Sequence, residues 1–290
     1  MKNYILLIIT ILSLVIVFSC NKKRISENPE TKEMEEYIRN AQDKRAQFTF
    51  AQYDELLQVL SDSNIIVLPI NEFKDSINDN KVMVGLRHDI DCHPYKALEL
   101  ARMEQKYGMR SSYYVLSTAN YYGKFIKNGI NRFQCMDTIY KQISALGCEI
   151  GIHNDLLVVM IKHGLDPLNF SKDENKYFNS IGIDINGSVA HGSDLASKTI
   201  PNFKIFSEYA DSSYVHYMGK AYKIGEYSML DYGYGYEANF VNHNKEYSDS
   251  GGDWLEEGGL NQVIDELKNS KAGARITILA HPVWWGKKAE

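Results

Sequence analysis

Apolar and polar positions follow two periods along this chain. Short apolar runs read as buried strands at Val82–Asp91, Ser111–Leu116, Cys148–His153, Gly187–His191 and Arg275–Ala280. Between them lie stretches whose apolar residues recur at helical spacing. These predict helices at Tyr53–Leu60, Pro94–Tyr107, Phe133–Leu146, Pro167–Ile181 and Leu260–Asn269. Gly108 and Gly147 follow two of them, as helix stops do. Ile65–Leu68 reads as a strand or an extended connection. Strands that alternate with helices imply βαβ units and a parallel sheet.

Ionisable residues recur at one place in these units, the C-terminal end of the strand. Asp89 and Asp91 end the first strand, His153 and Asp155 follow the third, His191 ends the fourth and His281 follows the last. In a β/α barrel, active sites form at that end. The segment Leu86-Arg87-His88-Asp89-Ile90-Asp91 is the most telling. Side chains alternate along a strand, so Arg87, Asp89 and Asp91 share one face and Leu86, His88 and Ile90 the other. Two neighbouring carboxylates repel unless a cation intervenes. Arg87 supplies one positive charge and a bound metal would supply more. The segment predicts a metal-assisted acid/base site, with His88 buried behind it.

The first residues read differently. Lys2 and the apolar run Tyr4–Phe18 form a targeting segment shorter than a spanning helix needs. Val17-Phe18-Ser19-Cys20 resembles a bacterial lipobox, which makes residues 1–19 a signal peptide and Cys20 the lipidated first residue. Residues 20–50 are polar and charged and read as a tether, with a short helix expected over Met34–Gln47. Residues 51–290, about 240 in all, suffice for one catalytic domain. A net charge of -5 argues against a nucleic-acid partner. Cys92, Cys135 and Cys148 lack C-x-x-C spacing and are odd in number, so no disulfide framework or zinc knuckle is expected. Many of the 20 tyrosines and 3 tryptophans fall in loops, where rings suit stacking on sugars.

Together these motifs resemble the polysaccharide deacetylase (NodB-homology, carbohydrate esterase family 4) superfamily, in the branch whose first motif reads Arg-His-Asp-Val-Asp. Arg87–Asp91 matches that motif, Gly147–Asp155 the second, Ala190–Ser193 the position of the third, and Ile278–Pro282 the last. Tyr209–Ser213 and Tyr247–Trp254 are also typical of the branch. The resemblance spans residues 55 to 285 and implies a distorted (β/α)7 TIM-like barrel. It implies a divalent metal, most often zinc, and removal of N- or O-acetyl groups from a glycan. Carried over, Asp89 is the general base, Asp91 and His153 are metal ligands, and His281 is the general acid. Two positions depart from the pattern: Leu157 stands where a second ligand histidine belongs, and His191-Gly192 where an arginine orients the base. His191, or alternatively Asp155, is expected to complete the ligand set, and Arg87 to supply the orienting charge. Tyr113, Asp249, Asp253, Trp254 and Trp284 are expected on the substrate side, with Asp249 and Asp253 alternatively orienting the base. The expected partners are a glycan and a membrane, through the lipid on Cys20, in an extracytoplasmic cell envelope. The alternative is a glycan-binding surface lipoprotein that kept the fold and lost activity.

Overall fold

Strand β3 (Val82–Ile90) is buried at every position, because it lies in the middle of a sheet covered on both faces. The computed structural model describes residues 45–254 and 258–287. Around β3 run β4 (Ser112–Leu116), β7 (Glu149–Asn154), β8 (Gly187–Ala190) and β11 (Tyr236–Glu237) on one side. On the other side run β13 (Arg275–Leu279) and β12 (Lys245–Ser248). All these neighbours pair in parallel. Strand β2 (Ile65–Leu68) pairs with the first half of β3, on the edge that β4 uses further along. The result is a curled parallel sheet of seven strands, with β2 as an eighth, surrounded by helices. It is a half-barrel: among the described residues the end strands β11 and β12 do not pair, so the closed barrel is not reached. Strand β11 has only two residues before the chain turns into a 3-10 segment at Ala238–Phe240, too short to offer a partner ladder.

The crossovers are helices, as the periodicity predicts. They include α1 (Phe50–Leu60), α3 (Pro94–Lys106), α4 (Cys135–Ala145), α6 (Pro167–Ser180) and α8 (Leu260–Lys268). Short helices α2 (Ile70–Phe73) and α7 (Asp194–Lys198) follow β2 and β8. Thr49 and Gln52 form a capping box that fixes the start of α1, an arrangement worth about 1 kcal/mol. Helix α8 buries Leu260, Val263, Ile264 and Leu267 along one stripe. The periodicity does not predict α5 (Leu156–His163), which follows β7 directly, or the hairpins β5–β6 (Gly123–Ile126, Gly129–Arg132) and β9–β10 (Tyr214–Tyr217, Lys220–Lys223). Strands β1 (Phe48–Thr49) and β14 (Trp285–Gly286) pair in parallel, so residues expected in the tether belong to the folded unit. Cys20, residues 1–19 and nearly all of Met34–Gln47 lie outside the described residues.

Three apolar clusters surround the sheet. Two lie between its outer face and the helices; Leu86, Val84 and Val82 face α1 and α8, while Ile90, Val115, Ile150 and Ile152 face the helices on the other side. The third fills the concave face with Ile70, Phe73, Met83, Tyr114, Val189 and Tyr236. Two glycines make room for its rings. A Cβ on Gly151 would meet the Tyr114 ring at 2.5 Å, and one on Gly187 would meet the Tyr236 hydroxyl at 2.4 Å. This packing plugs the barrel interior below the strand ends and leaves its C-terminal mouth as the position for a site.

Candidate active site

The alternation along β3 carries Arg87 and Asp89 to the concave face, and Asp91 follows one residue past its end. His153, paired with Leu116 and Val189 in the ladder, brings a ring to the same mouth. His191 follows β8 by one residue, and its N–H is held by the Asn154 carbonyl. Ligand atoms of Asp91, His153 and His191 lie within 4.8 Å of one another. His153 Nε2 is 3.2 Å from Asp91 Oδ1 and His191 Nε2 is 3.9 Å from it. Two ligands of a tetrahedral ion with bonds of about 2.0–2.1 Å sit about 3.3 Å apart, so these spacings suit a shared ion.

The surroundings set which atoms are free to ligate. His153 Nδ1 lies 3.0 Å from the Val189 carbonyl, which only accepts, so Nδ1 is the nitrogen that keeps a proton and Nε2 the one that can give up its own to ligate. His191 Nδ1 is backed by Asp155 Oδ2 at 3.3 Å. Asp155 is in turn bonded by the Thr118 hydroxyl at 2.7 Å and the Asn202 amide at 3.1 Å. The same Asn202 amide donates to the His191 carbonyl at 2.8 Å. Of the two residues expected to complete the ligand set, His191 therefore stands in the cluster and Asp155 behind it. Asp91 Oδ1 is buried with no hydrogen-bond donor, an acceptor facing two imidazoles. One carboxylate and two imidazoles fit a divalent metal ion. Burial alone would push the Asp91 carboxyl up. With His153 protonated and no ion bound, the His153 hydrogen bond and charge, with the charges of His281 and His191, outweigh this and hold it at about 2. Leu157 is fully buried in the helix-side core, and so contributes nothing at the mouth.

Asp89 is buried, with Oδ1 unpartnered and Oδ2 3.4 Å from Arg87 Nη2. Arg87 Nη1 donates to Asn239 Oδ1 at 3.0 Å. Burial opposes the guanidinium charge, but Asp89, joined by Glu246, Tyr114 and Glu237, outweighs it, so the Arg87 pKa is raised. On the opposite side, His281 Nε2 lies 4.0 Å from Asp91 Oδ2. Its Nδ1 donates to Asp249 Oδ1 at 2.7 Å. Burial works against a charged imidazole, but the Asp249 hydrogen bond and charge, with Asp89 and Asp91, push His281 up to about 9. Cys92, beside Asp91, is no nucleophile: burial and then the Asp91 charge push its thiol up to about 11, and Arg45 offsets only part.

Several residues expected on the substrate side sit elsewhere. Tyr113 pairs with His88 across the ladder and shares its outward face. It is fully buried, stacks on His88 at 4.5 Å and donates to Glu104, so it cannot reach a ligand at the mouth. Trp254 is buried in the core near α1 and α8. Asp249 is fully buried and orients His281, neither a substrate contact nor a contact to the base. Asp253 and Trp284 stay half-buried near the rim, with the Trp284 ring lying close over Gly252. His88 is behind the sheet as expected, bonded to Glu104 and the Ala280 carbonyl.

The sequence alone does not mark Asn202, Asn239, Thr118 or Glu237 as site residues. All lie outside the periodic segments or in a strand of two residues, where neither pattern nor spacing marks them. Comparison with protein-family models, curated proteins and solved structures finds no match for this chain.

Proposed function

We propose that this chain is a metal-dependent hydrolase that removes N- or O-acetyl groups from a glycan, built on a TIM-like barrel of the NodB-homology type. One observation carries the reading. Three ligand side chains, a carboxylate backed by arginine and an imidazole backed by a buried carboxylate converge on one mouth. The donor set favours zinc. When bound, the ion supplies a Lewis acid for the acyl oxygen and a water of lowered pKa. Asp89 takes the proton of the attacking water, while Arg87, steadied by Asn239, keeps it aimed. His281, protonated through its bond to Asp249, gives its Nε2 proton to the leaving amine or alkoxide as the C–N or C–O bond breaks. Lipidation at Cys20, a glycan partner and residence in the cell envelope belong to the same proposal.

The rival reading, a binder without activity, drew on Leu157. With His191 in the cluster, three ligands remain, and a catalytic zinc needs three protein ligands plus an open position. The test is to purify the full-length protein in detergent, measure metal, and assay acetate release from N- and O-acetylated oligosaccharides. About one ion per chain is expected. Asp89→Asn should retain the ion and lose roughly 10²-fold or more in acetate release. Tight metal with no acetate from any substrate would favour the binder, and no metal at all would sink the ligand set.

A further inference from the structure

The metal cluster's outer supports carry a second feature on the same rim. Asn202, which braces Asp155 and His191, is followed by Phe203; Asn239, which holds Arg87, is followed by Phe240. The two loops bring these rings together with Tyr209. Tyr209 and Phe240 stack at 4.3 Å with planes 16° apart, and Phe203 meets Phe240 edge-on at 4.9 Å. Three rings in contact ordinarily hide one another, yet Phe240 stays 50% exposed. The rim around them is polar: Lys204, next to Phe203, pairs with Asp211, two residues beyond Tyr209. Tyr209–Ser213 is also the one segment singled out in the sequence that the chemistry of the site leaves without a role.

We propose that the Tyr209–Phe240 pair is a platform on which a sugar ring of the substrate stacks, next to the residue whose acetyl group enters the metal cluster. A pyranose has an apolar face and a hydroxylated edge. That shape matches one exposed aromatic face bordered by charges and amides, whereas an acyl chain or an apolar helix would need a broader apolar surface. The platform lies on the rim of the same site, because each of its loops carries, one residue away, a side chain bonded to a residue of that site: Asn239 to Arg87, and Asn202 to Asp155 and the His191 carbonyl. This inference rests on the glycan reading above, and it gives that reading a direction: the chain of sugars runs from the metal toward β8 and β11, away from His281.

The experiment measures binding of two ladders of one to five sugars, N-acetylated chito-oligosaccharides and O-acetylated xylo-oligosaccharides, to the full-length protein by calorimetry. Affinity for at least one ladder should climb about tenfold on adding the second or third sugar, the equivalent of ~1.4 kcal/mol. Phe240→Ala should abolish that climb while leaving metal content and single-sugar binding unchanged. Phe240→Trp should keep it, and Tyr209→Ala should reduce it. A climb that survives in Phe240→Ala, or no climb with either ladder, overturns the platform. So does a self-association of the chain that Phe240→Ala removes, which would make a second copy the occupant. The outcomes separate from the hydrolase reading. A climb without acetate release keeps the platform and loses the activity; acetate release without a climb does the reverse.

Discussion

Asp249 holds His281 at two points. Its carboxylate accepts from the His281 main-chain N–H at 2.9 Å and from the ring Nδ1 at 2.7 Å, and its second oxygen accepts from the Trp285 indole at 3.0 Å. Both the position of the ring and its tautomer follow from one buried group. In Asp249→Asn an amide oxygen can still take one of these donors, but the charge that keeps His281 protonated is gone. The variant should fold and bind metal normally and lose about 10²-fold or more in kcat, with little change in KM. Metal analysis beside steady-state kinetics checks it; a variant with unchanged kcat would remove His281 as the acid.

Glu237 gives the fold a pH signature. Burial pushes its carboxyl up to about 7, although the Ala190 N–H, the Ser188 hydroxyl and the charges of Arg87 and His153 pull the other way. The ordinary glutamate value is about 4.3, so the folded chain keeps a proton that the unfolded chain releases. The stability this group contributes is full below about pH 4.3 and is lost as pH rises through about 7, at most ~4 kcal/mol. Glu237→Gln keeps an acceptor for the Ala190 N–H and, without the charge, lets its amide N–H donate to the Ser188 hydroxyl in place of accepting from it. Its Tm should exceed that of the parent at pH 8 and match it near pH 4.5. Equal Tm differences at both pH values would contradict this.

Glu104 is the hub behind the sheet. It accepts from the Tyr53 hydroxyl at 2.6 Å, the Ser111 hydroxyl at 2.5 Å and the Tyr113 hydroxyl at 3.1 Å, and it pairs with His88 at 2.7 Å. Glu104→Ala leaves all four buried without their acceptor. The expected cost is about 3–5 kcal/mol, read as a drop in the urea midpoint. A loss below about 1 kcal/mol would mean that the network repacks.

The repeat of strand and helix was legible because each strand is covered on both faces and each helix on one, which writes two clear periods into the sequence. The site was legible where it hangs on that repeat. Asp89, Asp91 and His153 sit at fixed positions in or just past long strands, so parity and strand ends locate them. His191 was one of two alternatives, and only the distances separate ligand from support, because Asp155 and His191 follow their strands in the same way. Tyr113 shows the limit: it stands one residue from inward-facing Ser112 and Tyr114, and parity turns it toward the helices. Asn202 and Asn239 come from irregular loops, whose geometry depends on contacts distant in sequence. The failure of the sheet to close has the same origin, since β11 is a two-residue strand within a tyrosine-rich loop with no period of its own.

The pairing of β1 with β14 fixes where the described chain enters the fold. Gln47 N–H bonds the Trp284 carbonyl, Phe48 packs on Trp285, and Arg45 acts on Cys92 beside Asp91. The described chain thus begins at the rim of the site and not at the plugged floor of the half-barrel. In the lipid-anchored protein proposed above, a leash attached there would pull on the lip of the cup. Its length, more than the width of the mouth, would decide how far from the point of attachment a target can lie and still be worked on.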